Sequence, residues 1–382
     1  MAAVDTHVRL YAEEIARNLE SIVELTAELV TIDSPTDNIA GVDAVAARLA
    51  RSLAEQGIGV VLTGLDGYGP IVEARIRLGV GKHVLILGHT DTVWPVGTAA
   101  SWPFQNDRDG RLTGPGVGDM KACLATAVFA LGALARSKPQ GIGEVTLLVV
   151  PDEEVGSTAS RPAIERAARM ADACLTLEAA RPGGGIVTSR EAVGAMRVRA
   201  TGRAQHTTDP LPHANALAPL VRLVELIERE VGATVGVIRA GTARQIVPDE
   251  GELLVDLRAP TTEAVEALAR RITDLVATVP ADGVALDLTG GLTRPAWNRT
   301  EGTAALFNAA KLAAGILSVN AFEVAERGGS DASFAGALGI AALDGLGPVC
   351  HGSCSRDEAV FTSDIVTWGA ILCSVVAAAC DS

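Results

Sequence analysis

Three short apolar runs, Val84-Leu85-Ile86-Leu87, Val145-Thr146-Leu147-Leu148-Val149-Val150 and Ala173-Cys174-Leu175-Thr176-Leu177, each give way to acidic or imidazole side chains. His89 and Asp91 follow the first run, Asp152, Glu153 and Glu154 the second, and Glu178 the third. Any one run alone is compatible with a buried helix. Their length, and their alternation with helix-like segments, favours strands buried on both faces of a mainly parallel sheet, hence an α/β fold. Ligands of open α/β sheets bind beyond the carboxyl ends of the strands, so these side chains are expected to meet in one crevice. Asp119 is expected to join them from the glycine-rich stretch Gly114-Pro115-Gly116-Val117-Gly118-Asp119-Met120-Lys121, which leads into a helix.

Several carboxylates and an imidazole brought together repel or lose charge unless a cation neutralises them. A metal is the simplest solution, and a mixed imidazole and carboxylate set suits zinc, with cobalt or manganese as possible substitutes. A bridging carboxylate would hold two ions about 3.5–4 Å apart. Singly, His89 reads as an ordinary histidine and Glu153-Glu154 as a solvated loop; clustering at strand ends is what the bland reading leaves unexplained. A nucleotide loop is excluded, because no Gly-Lys-Ser/Thr closes the glycine-rich stretch and no Gly-x-Gly-x-x-Gly frame is present.

The chain has 382 residues and a net charge of −14, which suggests two domains and argues against nucleic acid as a partner. No basic segment followed by an apolar run opens the sequence and no later stretch reads as a membrane span, so a cytoplasmic protein without a membrane partner is expected. Cys123, Cys174, Cys350, Cys354, Cys373 and Cys380 are scattered and read as reduced thiols. Helical spacing runs from Leu10 to Val30 and from Val42 to Leu53. After Arg181-Pro182-Gly183-Gly184-Gly185 the pattern changes: strand 195–200, helix 216–230, strand 253–258, helix 262–276, an α+β module. Residues 186–294 therefore read as a domain inserted into a catalytic domain formed by 1–185 and 295–382, where strand 339–343 belongs.

With these residues in view, the chain resembles the M20 metallopeptidases, in particular the glutamate carboxypeptidase and aminoacylase-like branch. Gly88-His89-Thr90-Asp91-Thr92-Val93, Gly114 to Lys121, Asp152-Glu153-Glu154-Val155-Gly156-Ser157, Gly328-Gly329-Ser330-Asp331-Ala332 and Leu343 to Pro348 match its motifs in order. The resemblance implies that His89 and Glu178 bind one zinc, that Asp119 bridges to a second, and that Glu154 binds the second. It implies that Asp91 orients His89 and that Glu153 is the general base. The inserted domain would act as a lid and make a homodimer, with His206 stabilising the oxyanion across it. Arg258 would hold a substrate carboxylate, with Gln245 and Gly329 also beside the substrate. A surface histidine and a solvent-facing arginine are the plain readings of His206 and Arg258.

The match breaks at the last metal ligand. Where the family has histidine, Gly347-Pro348-Val349-Cys350-His351-Gly352-Ser353-Cys354 places Cys354 without a gap, and His351 is the alternative if the loop shifts. The plain reading is that neither binds and that Cys354 is only a small buried residue. Gln245 in place of asparagine, Ala122-Cys123 in place of two glycines, and Thr207-Thr208 after His206 are further departures. The expected activity is zinc-dependent hydrolysis of an amide beside a free carboxylate, in a small N-acyl amino acid or peptide. The alternative is a diverged scaffold serving as a binding protein or as a metal-dependent lyase or transferase.

Overall fold

The computed structural model describes residues 2–210 and 212–381. It divides into two compact units: Met1–Ser189 with Trp297–Glu326 and Ser330–Ser382, and Arg190–Ala296 with Arg327–Gly329.

The first unit is built on a six-stranded sheet in the order Gly59–Leu65, Tyr68–Arg77, Ile142–Val150, Lys82–His89, Ala173–Thr176, Ala341–Leu343. The last three pairings are parallel, while Tyr68–Arg77 runs antiparallel to both of its neighbours. The apolar runs are continuous because both faces are covered. Val84, Ile86, Val145, Leu147 and Val149 point into one core with Leu124, Val128 and Ile371 from the helices Ala122–Ser137 and Thr362–Ala378. Leu85, Leu87, Leu148 and Val150 point into a second core with Ile164 and Phe334, from Arg161–Ala168 and Ala332–Ala337. A side-chain period of two then buries every residue of the run, one side after the other.

Two helical spans differ from the sequence reading. The helix expected through 10–30 is two, Ala2–Arg17 and Leu19–Val30, parted at Asn18. The Asn18 amide donates to the Glu14 carbonyl at 2.8 Å, the local competition that disfavours asparagine inside helices. The segment Val117–Ser137, read as no membrane span, is long and apolar enough to be one, and 94% of its most apolar window is buried in the protein. Its apolarity answers to being surrounded by protein rather than lipid, since Ala122 to Leu134 are buried all round.

A small sheet in the order Cys350–His351, Ala359–Phe361, Arg111–Thr113, Gln105–Asn106 ties the C-terminal loop to the approach of the glycine-rich stretch. All six cysteines are free.

The second unit is a four-stranded sheet in the order Thr234–Ala240, Glu250–Ala259, Ala192–Thr201, Ala285–Arg294, with every pairing antiparallel. Met196, Val198 and Ala200 alternate inward against Leu220, Leu223, Val265 and Ile272. The helix expected over 216–230 is α-helical over Leu217–Leu226 and widens to a π turn at Ile227–Val231, ended by Gly232 at φ 75°. Thr262–Thr278 starts on an N-cap in which Thr261 accepts the Ala264 N–H.

Candidate active site

Parallel pairing aligns the three strand ends. His89, the last residue of its strand, sits opposite Val150, the last of the next, and Leu87 sits opposite Thr176 on the other side. The chain leaving each strand therefore emerges at one edge, with His89 at the first, Glu153 and Glu154 in the turn after the second, and Glu178 beyond the third. Gly156, at φ 101°, closes the Glu153–Val155 turn in a conformation that glycine adopts without strain.

His89 is buried, and its two nitrogens face different partners. Nδ1 lies 2.9 Å from the Asp91 carbonyl and 3.4 Å from Asp91 Oδ1. Nε2 lies 3.2 Å from Asp119 Oδ1 and 3.7 Å from Glu178 Oε1. Donation of Nδ1–H to the carbonyl would leave the Nε2 lone pair facing the carboxylates, the tautomer a metal ligand needs. The Asp91 carboxylate, fully buried, accepts the backbone N–H of Glu153 at 3.2 Å, that of Glu154 at 3.1 Å and the Thr36 hydroxyl at 2.7 Å.

Asp119 is delivered by a loop packed too tightly for side chains. A Cβ at Gly118 would lie 2.2 Å from Cys350 Sγ, so only glycine fits. Glu358 braces this loop. One of its oxygens accepts the N–H of Gly118 at 2.8 Å and of Asp119 at 3.2 Å, and the other accepts Trp94 Nε1 at 3.1 Å. Burial pushes Glu358 up to about 7 against the opposing pull of those N–H bonds. Sequence reasoning gave Glu358 no role. Its only sequence signal was an acidic residue in the stretch that aligns with the final ligand motif.

The structure brings the ligating atoms of His89, Asp119 and Glu154 within 4.8 Å of one another, and likewise those of His89, Glu153 and Glu178. The electrostatics are those of carboxylates crowded around one imidazole. Burial, reinforced by Asp119, Glu153 and Asp91 and opposed by His89, pushes Glu154 up to about 8. Burial, then Asp119, raises Glu178 well above the usual carboxylate range. Burial works against a charged His89, yet bonds to Asp119 and Asp91 raise it well above an ordinary histidine. Glu154 Oε1 is buried with no hydrogen-bond partner among the described residues. An orphaned carboxylate oxygen within a ring of hard donors fits one or two divalent cations.

Cys354 is exposed, not the small buried residue of its plain reading, and lies beside this cluster, its Sγ 4.0 Å from Asp119 Oδ2, on backbone at φ 58°. His351 does not join it. Its ring stacks edge-on against Phe361, centroids 5.6 Å apart, and lines a separate hollow with Asp364 and Trp368.

The second unit carries the remaining candidates. His206 is exposed, with Nδ1 2.8 Å from the Thr208 hydroxyl. The Gln245 carbonyl accepts the Thr207 N–H at 3.1 Å. Arg258 grips Asp256 through Nε at 2.8 Å and donates Nη1 to the Arg327 carbonyl at 2.7 Å. The Gly329 carbonyl accepts Arg190 Nη1 at 3.3 Å.

The family model "Peptidase family M20/M25/M40" matches residues 85–378. Carboxypeptidase G2 of Pseudomonas sp. (strain RS-16) is 28% identical over 343 residues, covering 86% of this chain and 81% of that protein. The fold matches an M20 family metallo-carboxypeptidase from Sulfolobus solfataricus with a TM-score of 0.76 at 16% identity, over 94% of this chain and 99% of that one. It also matches a dinuclear metal binding peptidase of the M20 family from Bacillus subtilis, with a TM-score of 0.66 at 14% identity over 95% and 98% of the two chains.

Proposed function

The chain belongs to peptidase family M20/M25/M40, and from that premise we propose that it is a zinc-dependent hydrolase of amide bonds adjacent to a free carboxylate. The observation that carries this reading is the convergence of His89, Asp119, Glu153, Glu154 and Glu178 at one edge of the sheet. The carboxypeptidase names of two of the proteins it resembles support the carboxylate-adjacent bond, and the dinuclear peptidase supports two ions.

In this reading His89 and Glu178 would hold one ion and Glu154 and Cys354 the other, with Asp119 available to both. Bound divalent cations supply Lewis acidity towards the substrate carbonyl and make water a better nucleophile at neutral pH. Glu153 accepts a proton from the attacking water and delivers it to the nitrogen as the carbon–nitrogen bond breaks, leaving a carboxylic acid and an amine. Asp91 fixes the turn on which Glu153 rides. The second unit serves as lid and dimerisation domain, with His206 for the oxyanion and Arg258, Gln245 and Gly329 towards the substrate. The protein acts as a homodimer in the cytoplasm.

The test is a panel of N-acyl amino acids and dipeptides, each paired with its C-terminal amide, incubated with zinc-loaded protein. Cleavage confined to the free acids is expected. Equal cleavage of both members, or of neither, contradicts the reading.

A further inference from the structure

Among the described residues, the wall of the metal-site cavity carries a single basic side chain, Arg181. The cavity, about 340 Å³, is lined by Asp119, Glu178, Arg181, Cys350 and Ser353 among others, all within the first unit. Arg181 follows Glu178 by three residues and is held from several directions. Its backbone N–H bonds the Gly185 carbonyl at 2.9 Å, and its own carbonyl accepts the N–H of Gly184 and Gly185. Nε donates to Glu326 Oε1 at 2.7 Å and Nη1 to the Ala179 carbonyl at 3.3 Å. Glu326 is fixed in turn on the Phe322–Glu326 strand, which pairs with Gly185–Arg190.

Those bonds leave Nη2 without a hydrogen-bond partner among the described residues, on a side chain still 33% exposed. Arg258 keeps fewer free donors, since its Nε and Nη2 both engage Asp256 and its Nη1 also donates to the Arg327 carbonyl. A guanidinium oriented by a carboxylate behind it, with donors left over beside hydrolytic donors, is built to receive an anion.

We propose that Arg181 is a specificity residue that receives a carboxylate of the substrate inside the metal-site cavity, so that the catalytic unit itself selects anionic amides. The proposal rests on the hydrolase reading above. Pairing with Glu326 leaves the arginine nearly neutral as a unit, so it orients and discriminates by directed hydrogen bonds more than by long-range charge. A carboxylate accepts from the free donors on two charged oxygens, which a neutral amide, with one acceptor oxygen and an NH2 group that donates, does not match.

The experiment is calorimetric binding to the zinc-loaded protein of N-acetyl-L-glutamate against N-acetyl-L-glutamine, and of N-acetyl-L-alanine against its α-amide. Wild type is expected to bind at least one acid about tenfold to a hundredfold more tightly than its neutral counterpart. Arg181→Gln is expected to abolish that ratio and Arg181→Lys, which keeps the charge and loses the fork, to retain part of it. A wild type with no acid preference, or a preference that survives Arg181→Gln, overturns the proposal. If Arg181→Gln fails to fold, judged by zinc content, an undiminished preference in Arg181→Lys overturns it instead. Binding needs no turnover, so an intact, Arg181-dependent ratio with no hydrolysis on the amide panel would refute the hydrolase reading alone.

Discussion

The carboxylate of Asp91 receives the backbone N–H of Glu153 at 3.2 Å, while the nearest partner of His89 Nδ1 is the Asp91 carbonyl, at 2.9 Å. The carbonyl is the closer Asp91 contact to the histidine, Oδ1 standing at 3.4 Å, and the carboxylate also anchors the turn that carries the two glutamates. Asp91→Ala keeps the carbonyl and removes the anchor of that turn. Metal affinity is expected to fall about 10- to 100-fold. Turnover of saturating substrate in excess zinc should fall further, because Glu153 is displaced even when the ions are restored. Competition with a chromophoric chelator measures the first effect and steady-state kinetics the second; full turnover in excess zinc would contradict this division of labour.

Glu358 gives a second prediction. It is fully buried and accepts hydrogen bonds from Gly118, Asp119 and Trp94. Glu358→Ala strands three donors, one buried and two part-buried, at a cost of about 3 kcal/mol in denaturant unfolding. Glu358→Gln keeps an acceptor for part of the set and is expected to cost less than half as much. Because the stranded amides belong to the residue bearing the Asp119 carboxylate and its neighbour, both variants should also weaken zinc binding, the alanine more.

Cys354 gives the third. Its Sγ stands 4.0 Å from Asp119 Oδ2, whereas His351 is turned onto Phe361. Cobalt-loaded wild type should show a near-ultraviolet thiolate-to-cobalt absorption, lost in Cys354→Ser and kept in His351→Ala. Its absence in wild type, or its persistence in Cys354→Ser, would remove the thiol from the coordination sphere.

What could be read from the sequence was whatever the parallel sheet arranges by itself. Once 84–87, 145–150 and 173–177 are strands buried on both faces, the acids after them have one edge to occupy, so His89, Glu153, Glu154 and Glu178 were identifiable from spacing and order. Glu358 was not, because its role depends on Ala359–Phe361 pairing with Arg111–Thr113, a contact nearly 250 residues apart in sequence. The same non-local origin hid the Arg356 guanidinium lying over Trp94 and Trp102, 5.8 and 5.3 Å from their centroids. The strand Tyr68–Arg77 was missed although Ile71, Val72, Ala74 and Ile76 carry an apolar pattern, because Pro70 and the charges at Glu73 and Arg75 dilute it. The break at Asn18 was legible in principle, since asparagine within an apolar helical repeat signals a side chain that bonds its own backbone.

The most direct test of metal-dependent amide hydrolysis is a zinc titration of the metal-free protein, with turnover of the best substrate on the panel read at each equivalent. Activity should rise from near zero and level off at two zinc ions per chain, and Glu153→Gln should take up the same two ions with turnover lower by about 10²- to 10⁴-fold. Turnover that is independent of added zinc, or that Glu153→Gln leaves unchanged, would contradict the assignment.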